Sequence, residues 1–249
     1  MIREALWTLH HASRALYREV HSWSAYLVGW KRFWTSYRLY GELAPPDQRP
    51  QLGFLYPCLG DDTEETPIEP TYFYQDAWAF EKIVKSRPAR HVDVGSHYKF
   101  VALLSKVVPV TMVDLRPLSL PLDTLAFQKG SVLALPFESR SVPSLSSLCV
   151  VEHIGLGRYG DPLAPQGTEL AIQELKRIVQ PGGSLYLSVP IDDETRIYFN
   201  AHRAFREDYL LKVFEPFRVV ECRYIYGKEF TDRPQRGFGT GCYHLQCES

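Results

Sequence analysis

Residues 91–99, His-Val-Asp-Val-Gly-Ser-His-Tyr-Lys, run an apolar strand into a tight turn. This junction restricts the chain more than any other segment. A buried strand that breaks at a glycine and re-enters a helix opens the sheet of a nucleotide-binding α/β domain, with the ligand on the turn. Gly95 is present, but the positions where further glycines would usually follow hold His97 and Lys99. The turn therefore speaks to the fold more than to the ligand.

The pattern from residue 71 onward agrees. The spacing predicts a helix over Tyr72–Ser86 with Phe73, Ala77, Phe80 and Val84 on one face. Strands follow at His91–Gly95, Val110–Leu115, Ala126–Lys129, Leu145–Val151, Ser184–Val189, 217–226 and 241–247. Helices are expected near 98–107, over Gly167–Val179 with a stop at Pro181-Gly182-Gly183, and at 203–214. Strands alternating with helices imply parallel pairing and right-handed crossovers. The expected architecture is α/β: a doubly wound, mostly parallel seven-stranded sheet with an N-terminal helical extension.

Four segments resemble a class I S-adenosylmethionine-dependent methyltransferase in order and spacing. They are HVDVGS at 91–96, VTMVDL at 110–115, GSVLALPFESRSVPSLSSLCVVEHI at 130–154 and LKRIVQPGGSLYLSVP at 175–190. The third and fourth look most like the type 11-like small-molecule group. More narrowly, EHIGLGRYGDP at 152–162 and FNAHRAF at 199–205 resemble an uncharacterised branch often associated with bacterial surface-polysaccharide or glycosyl-transfer functions. The resemblance implies S-adenosylmethionine as cofactor and a small-molecule or glycan acceptor.

Each candidate site residue also has a physical reading. Gly95 lets the backbone approach a ligand closely, and the helix N-terminus behind Ser96 and His97 favours a carboxylate. Asp93 orients the turn through backbone hydrogen bonds. Asp114, nineteen residues after Gly95, is placed to take both ribose hydroxyls, or else to cap its strand. Ser131 stands where many relatives carry an aspartate toward adenine, with the N–H groups of Val132 and Leu133 as support. His97 and Lys99 either pair with the methionine carboxylate or fill its room. His153 and His202 are the two candidate general bases, against a packing or capping role for each. Glu152, Arg158, Tyr159, Asp161, Asn200 and Arg203 form a polar set suited to a sugar or phosphate group, or to bracing a long loop. Two readings follow: a methyltransferase, and a methyltransferase-like binding or scaffold protein in glycan assembly that has lost catalysis.

Residues 1–40 form a helical extension carrying Trp7, Trp23, Trp30 and Trp34 on an apolar stripe, with Gly29 as a candidate break. The stripe docks on the main domain or a second subunit, or lies on an anionic membrane surface. Residues 41–70 are a proline-rich acidic connector, and 71–249 the α/β domain. A formal net charge of −1 argues against a nucleic-acid partner recruited by bulk charge. Five scattered cysteines without a Cys-x-x-Cys pair predict reduced thiols and no zinc site, as in a cytoplasmic protein. No stretch is apolar enough to span a membrane.

Overall fold

A computed structural model describes residues 2–116 and 118–248, with side chains from residue 23 onward. The chain divides into two compact units, Met1–Pro67 and Ile68–Ser249.

The first unit is one long helix, α1 (Ile2–Leu43), followed by 3-10 turns at Pro46–Gln48 and Leu52–Phe54. The side chains of Trp7 and the rest of the expected stripe before residue 23 lie outside the described residues. Gly29 does not break α1. A β-carbon there would stand 2.9 Å from the carbonyl oxygen of Leu59, so the missing side chain lets the connector lie against the helix. Arg32 holds the same connector through the Asp62 carboxylate and the Leu59 carbonyl.

The second unit holds α2 (Pro70–Ser86), β1 (His91–Val94), α3 (Tyr98–Leu104), β2 (Val110–Asp114), β3 (Leu125–Lys129), β4 (Val142–Leu148) and α4 (Gly167–Ile178). It continues with β5 (Val179–Ile191), β6 (Arg196–Tyr198), β7 (His202–Ala204), α5 (Glu207–Phe214), β8 (Arg218–Tyr226), β9 (Glu229–Thr231) and β10 (Gly239–Gln246). The main sheet has the order β3-β2-β1-β4-β5-β10-β8-β9. Strands β1 to β5 pair in parallel, whereas β10 is antiparallel to both its neighbours. The strand order reverses between β1 and β4, which opens a crevice at their carboxyl ends.

Strand alternation sends side chains to two cores. Val92, Val94, Leu145 and Leu185 pack with Ile172 and Leu175 of α4 and Phe214 of α5. On the other face, Val110 and Met112 pack with Trp78 and Ile83 of α2 and Phe100 and Leu104 of α3. The result is three layers, helices on both faces of the sheet.

Four expectations are corrected. The sheet has eight strands rather than seven, because the short β9 adds an antiparallel edge to β8. Helix α2 buries Gln75, Trp78, Ala79 and Ile83, while Phe73 and Val84 are exposed. Pro181-Gly182-Gly183 does not stop a helix; α4 has ended and these residues form an irregularity within β5, where the register to β4 shifts. Residues 202–204 are not helical but form β7, paired with β6, and α5 begins at Glu207. Glu207 and Asp208 in its first turn favour the later start, because they face the positive end of the helix dipole.

Candidate functional site

The crevice holds a cavity of about 380 Å³. Its wall comes from the carboxyl ends of successive strands: Val94 and Gly95 at the end of β1, Val113 to Arg116 at β2, Gly130 to Leu133 after β3, and Cys149, Val150, His153 and Ile154 after β4. Tyr159 to Pro162 close one side.

Gly95 has φ +72°, and a β-carbon there would meet Val150 Cγ1 at 3.0 Å. Glycine thus serves both the turn and the space over it. Beneath it, Asp93 accepts from the Ser96 N–H at 3.1 Å and from the Ser146 hydroxyl. The imidazole of His91 bonds Ser146 Oγ at 2.9 Å and Ser144 Oγ at 2.8 Å. Since Ser146 gives its proton to Asp93, His91 Nε2 must donate to Ser146 and Nδ1 accept from Ser144. Burial pushes Asp93 up to about 6 and His91 down to about 3. Asp93 and Ser96 do not line the cavity; Ser96 Oγ instead accepts from Leu148 N–H at 3.0 Å, tying the turn to β4.

His97 and Lys99 stay out of the cavity wall. His97 caps α3, its Nδ1 accepting from Lys99 N–H at 3.4 Å, and its ring lies 5.3 Å from that of Tyr72. Neither residue fills the room that the missing glycines would leave. His97→Ala should therefore change ligand affinity in this cavity less than about threefold, the size of a weakened cap; calorimetry of the variant checks it.

Asp114 lines the cavity at the end of β2, in register with Lys129. Its Oδ1 accepts from the Arg116 N–H at 2.8 Å, and among the described residues Oδ2 takes no hydrogen bond. One oxygen therefore caps the strand end, and the other is available. Ser131 and Val132 line the cavity just after the neighbouring β3, but Ser131 Oγ accepts from Leu133 N–H at 3.2 Å. That leaves Val132 as the backbone donor there.

His153 lines the cavity, with Nδ1 2.7 Å from the Ala201 carbonyl. A carbonyl cannot donate, so Nδ1 carries the proton and Nε2 presents a lone pair. Burial holds the ring down at about 4, so it is neutral near pH 7. His202 is outside the cavity wall, packed among Tyr198, Phe238 and His153 at ring distances of 5.1, 5.6 and 6.5 Å. Of the two candidate bases, only His153 reaches the cavity.

The expected polar set divides. Tyr159 lines the cavity, with the Arg116 guanidinium 4.6 Å and that of Arg158 5.1 Å from its ring centroid. Arg158 also donates to the Ala201 carbonyl at 2.9 Å. Asp161 reaches the wall, but its oxygens accept from Gly155 N–H at 2.6 Å and Tyr159 N–H at 3.2 Å. Partial burial pushes its carboxyl up, yet these backbone donors outweigh that and hold it below its ordinary value. Asn200 is exposed and outside the wall. Arg203 is buried, donating to the carbonyls of Ile154, Ala164 and Pro165 and to Thr168 Oγ1. It clamps the 154–165 loop, and its fork is already used. Glu152 is 1% exposed and sits behind the wall.

Arg116 and Val150 line the cavity without having stood out in the sequence, and Cys149, which reads there as a buried inert thiol, lines it too. Their only signal is position, immediately after strands β2 and β4. Among the described residues no group of His, Cys, Asp or Glu is placed to hold a metal ion, and no helix is long and apolar enough to cross a membrane.

A family model described as "Caenorhabditis protein of unknown function, DUF268" matches residues 139–229, which include both the 152–162 and 199–205 segments. No curated protein matches the chain. Among solved structures, a Galdieria sulphuraria protein described as a candidate sarcosine dimethylglycine methyltransferase is similar at TM-score 0.52 and 14% identity, over 71% of this chain and 86% of that one. The Burkholderia thailandensis 1,6-didemethyltoxoflavin-N1-methyltransferase, solved with 1,6-didemethyltoxoflavin and S-adenosylhomocysteine, is similar at 0.50 and 18%, over 74% and 93%. The [4+2]-cyclase SpnF is similar at 0.50 and 12%, over 70% and 81%. The second unit of this chain therefore has the class I methyltransferase fold.

Proposed function

We propose that this protein binds S-adenosylmethionine and methylates a small-molecule acceptor. One observation carries the reading: a single cavity at the topological switch point is lined by Gly95, Asp114, Val132 and His153, each from a different strand end. The residues fit the cofactor. Gly95 leaves space under Val150, the Asp114 carboxylate has an oxygen for ribose hydroxyls, and Val132 lines the same space after β3. When bound, the cofactor supplies an electrophilic methyl group on a sulfonium. The chain's own part is alignment, exclusion of water and proton removal. His153 Nε2 takes a proton from the acceptor, while Tyr159, set between Arg116 and Arg158, covers the mouth.

The two guanidinium groups and the tyrosine suit a polar, carbohydrate-like acceptor; a place in surface-polysaccharide synthesis rests on the resemblance of the 152–162 and 199–205 segments. The case for an inactive scaffold weakens, because its sequence basis was His97 and Lys99, and both stand clear of the cavity wall.

Calorimetry with S-adenosylmethionine and S-adenosylhomocysteine tests the reading. Binding in the micromolar range is expected, and Asp114→Ala should weaken it at least about tenfold, the loss of a charged hydrogen-bond acceptor. Absence of heat at millimolar ligand rejects the methyltransferase assignment; unchanged affinity in the variant rejects the ribose role.

We further propose that residues 1–40 make a contact, either peripheral to a membrane or within a homodimer. Trp23, Leu27, Val28 and Leu39 of α1 are exposed, more apolar surface than a solvated helix needs. Flotation with anionic liposomes separates the two: recovery with the vesicles selects the membrane, and a sedimenting dimer without flotation selects the homodimer. A monomer that stays in the soluble fraction removes both.

A further inference from the structure

The strongest feature left unused is Glu152. It lies in a 3-10 turn (Val151–His153) directly behind the cavity wall, 1% exposed, and its Oε2 has no hydrogen-bond partner among the described residues. A buried, half-satisfied carboxyl is costly and is kept only where something offsets it. Its Oε1 stands 3.7 Å from His153 Nε2, the one ring nitrogen that the Ala201 carbonyl leaves available. At that distance no hydrogen bond forms, but in a dry setting a charge acts strongly across it.

We propose that Glu152 is the positioning residue for His153: its carboxylate offsets the positive charge the ring gains when Nε2 accepts the acceptor's proton. The inference rests on the reading of His153 as base. The proton balance is simple. The acceptor loses one proton, His153 Nε2 gains it, and ionised Glu152 leaves the pair neutral. The groups around the pair are few. The Cys149 thiol, the Tyr72 phenol and the Arg158 guanidinium face Glu152. Arg158, His202, Asp161 and the Tyr159 ring face His153. Arg158 is held on the Ala201 carbonyl, and the Asp161 oxygens are taken by backbone N–H groups. Glu152 is therefore the anion nearest Nε2. Burial raises its carboxyl to about 8, so its charge switches within the range where an enzyme works.

The test needs no cofactor or acceptor. Ring carbon-bound signals of His153 are followed by NMR in the unliganded full chain from pH 3 to 10, with assignment from His153→Gln. In the wild type two steps are expected: ring protonation near 4, and a second step of the neutral ring near 8 as Glu152 ionises. Glu152→Gln, an isostere of the protonated acid, should keep the first step and lose the second. Glu152→Asp should retain the second at reduced amplitude, which keeps the test usable if the glutamine variant folds poorly. A wild type without the second step, or a second step unchanged in Glu152→Gln, overturns the proposal. Because S-adenosylhomocysteine binding is measured separately, failure of the methyltransferase reading and failure of this coupling are distinguishable.

Discussion

Arg203→Met is expected to lower the melting temperature by about 10 °C and to free the 154–165 loop. The guanidinium is 4% exposed and serves four acceptors: the carbonyls of Ile154, Ala164 and Pro165 and the hydroxyl of Thr168. No carboxylate lies within ion-pair distance among the described residues, so the loop's own carbonyl dipoles solvate this charge. Methionine fills the stem but bonds none of them. Leaving several buried acceptors unmatched costs about 3 kcal/mol after partial rehydration, and a unit of this size loses roughly 2–4 °C per kcal/mol. Arg203→Lys should do nearly as badly, since one ammonium cannot reproduce the planar fork. The loop carries Tyr159 to Pro162 into the cavity wall, so ligand affinity should fall with it. Thermal unfolding and hydrogen exchange of the 155–164 amides check this. A melting point within about 2 °C of wild type, with exchange unchanged, would show that the clamp is dispensable.

The same residue marks where the sequence stops being legible. Arg203 in FNAHRAF reads equally well as a sugar or phosphate ligand and as a brace. Only the convergence of three carbonyls from a loop some forty residues upstream decides for the brace. The alternation of the sheet was legible because its strands are buried runs of the right length: His91–Val94, Val110–Asp114 and Val142–Leu148. Helix α2 was legible as a helix but not by face. Hydrophobic spacing favours Phe73, Ala77, Phe80 and Val84, whereas the buried face carries Gln75. Its amide oxygen accepts from Cys149 Sγ and Ser188 Oγ, and a polar residue satisfied in this way looks like surface in any apolar count.

Within the site, Gly95 and Asp114 were legible from strand ends and spacing, and the structure brings both to the cavity. His153 was legible only as one of a pair, because sequence does not tell which imidazole lines the cavity and which packs against Tyr198 and Phe238. His97 misled in the other direction. A side chain in place of glycine suggests a blocked site, but here the chain has already entered α3 and the ring turns toward its first-turn N–H.

Glu152→Gln is expected to remove the alkaline loss of stability that the wild type shows between pH 6.5 and 8. The sign follows from linkage. The folded protein holds the Glu152 proton up to about 8, while the unfolded chain releases it near the ordinary value of 4.5. Between those values the folded state binds the extra proton, so stability falls as pH rises. Asp76 and Asp93, raised by burial to about 6, act in the same sense but are spent above that pH. His91 and His153, lowered by burial to about 3 and about 4, act oppositely: the unfolded imidazoles bind protons that the folded ones refuse, so stability rises with pH up to about 6.5. From 6.5 to 8 the histidine contribution fades, and the difference between wild type and variant isolates Glu152, at up to about 1.4 kcal/mol per pH unit, or somewhat under about 2 kcal/mol across the window. Denaturant unfolding of wild type and variant at pH 6.5, 7.25 and 8 measures it. The variant should lose about 1 kcal/mol at pH 5, where an amide replaces a neutral acid and buries an unmatched donor, and should overtake the wild type on the alkaline side. Parallel curves for the two proteins across the window would mean that Glu152 does not hold its proton to neutral pH, and that no second step near 8 is to be expected in the His153 ring signals.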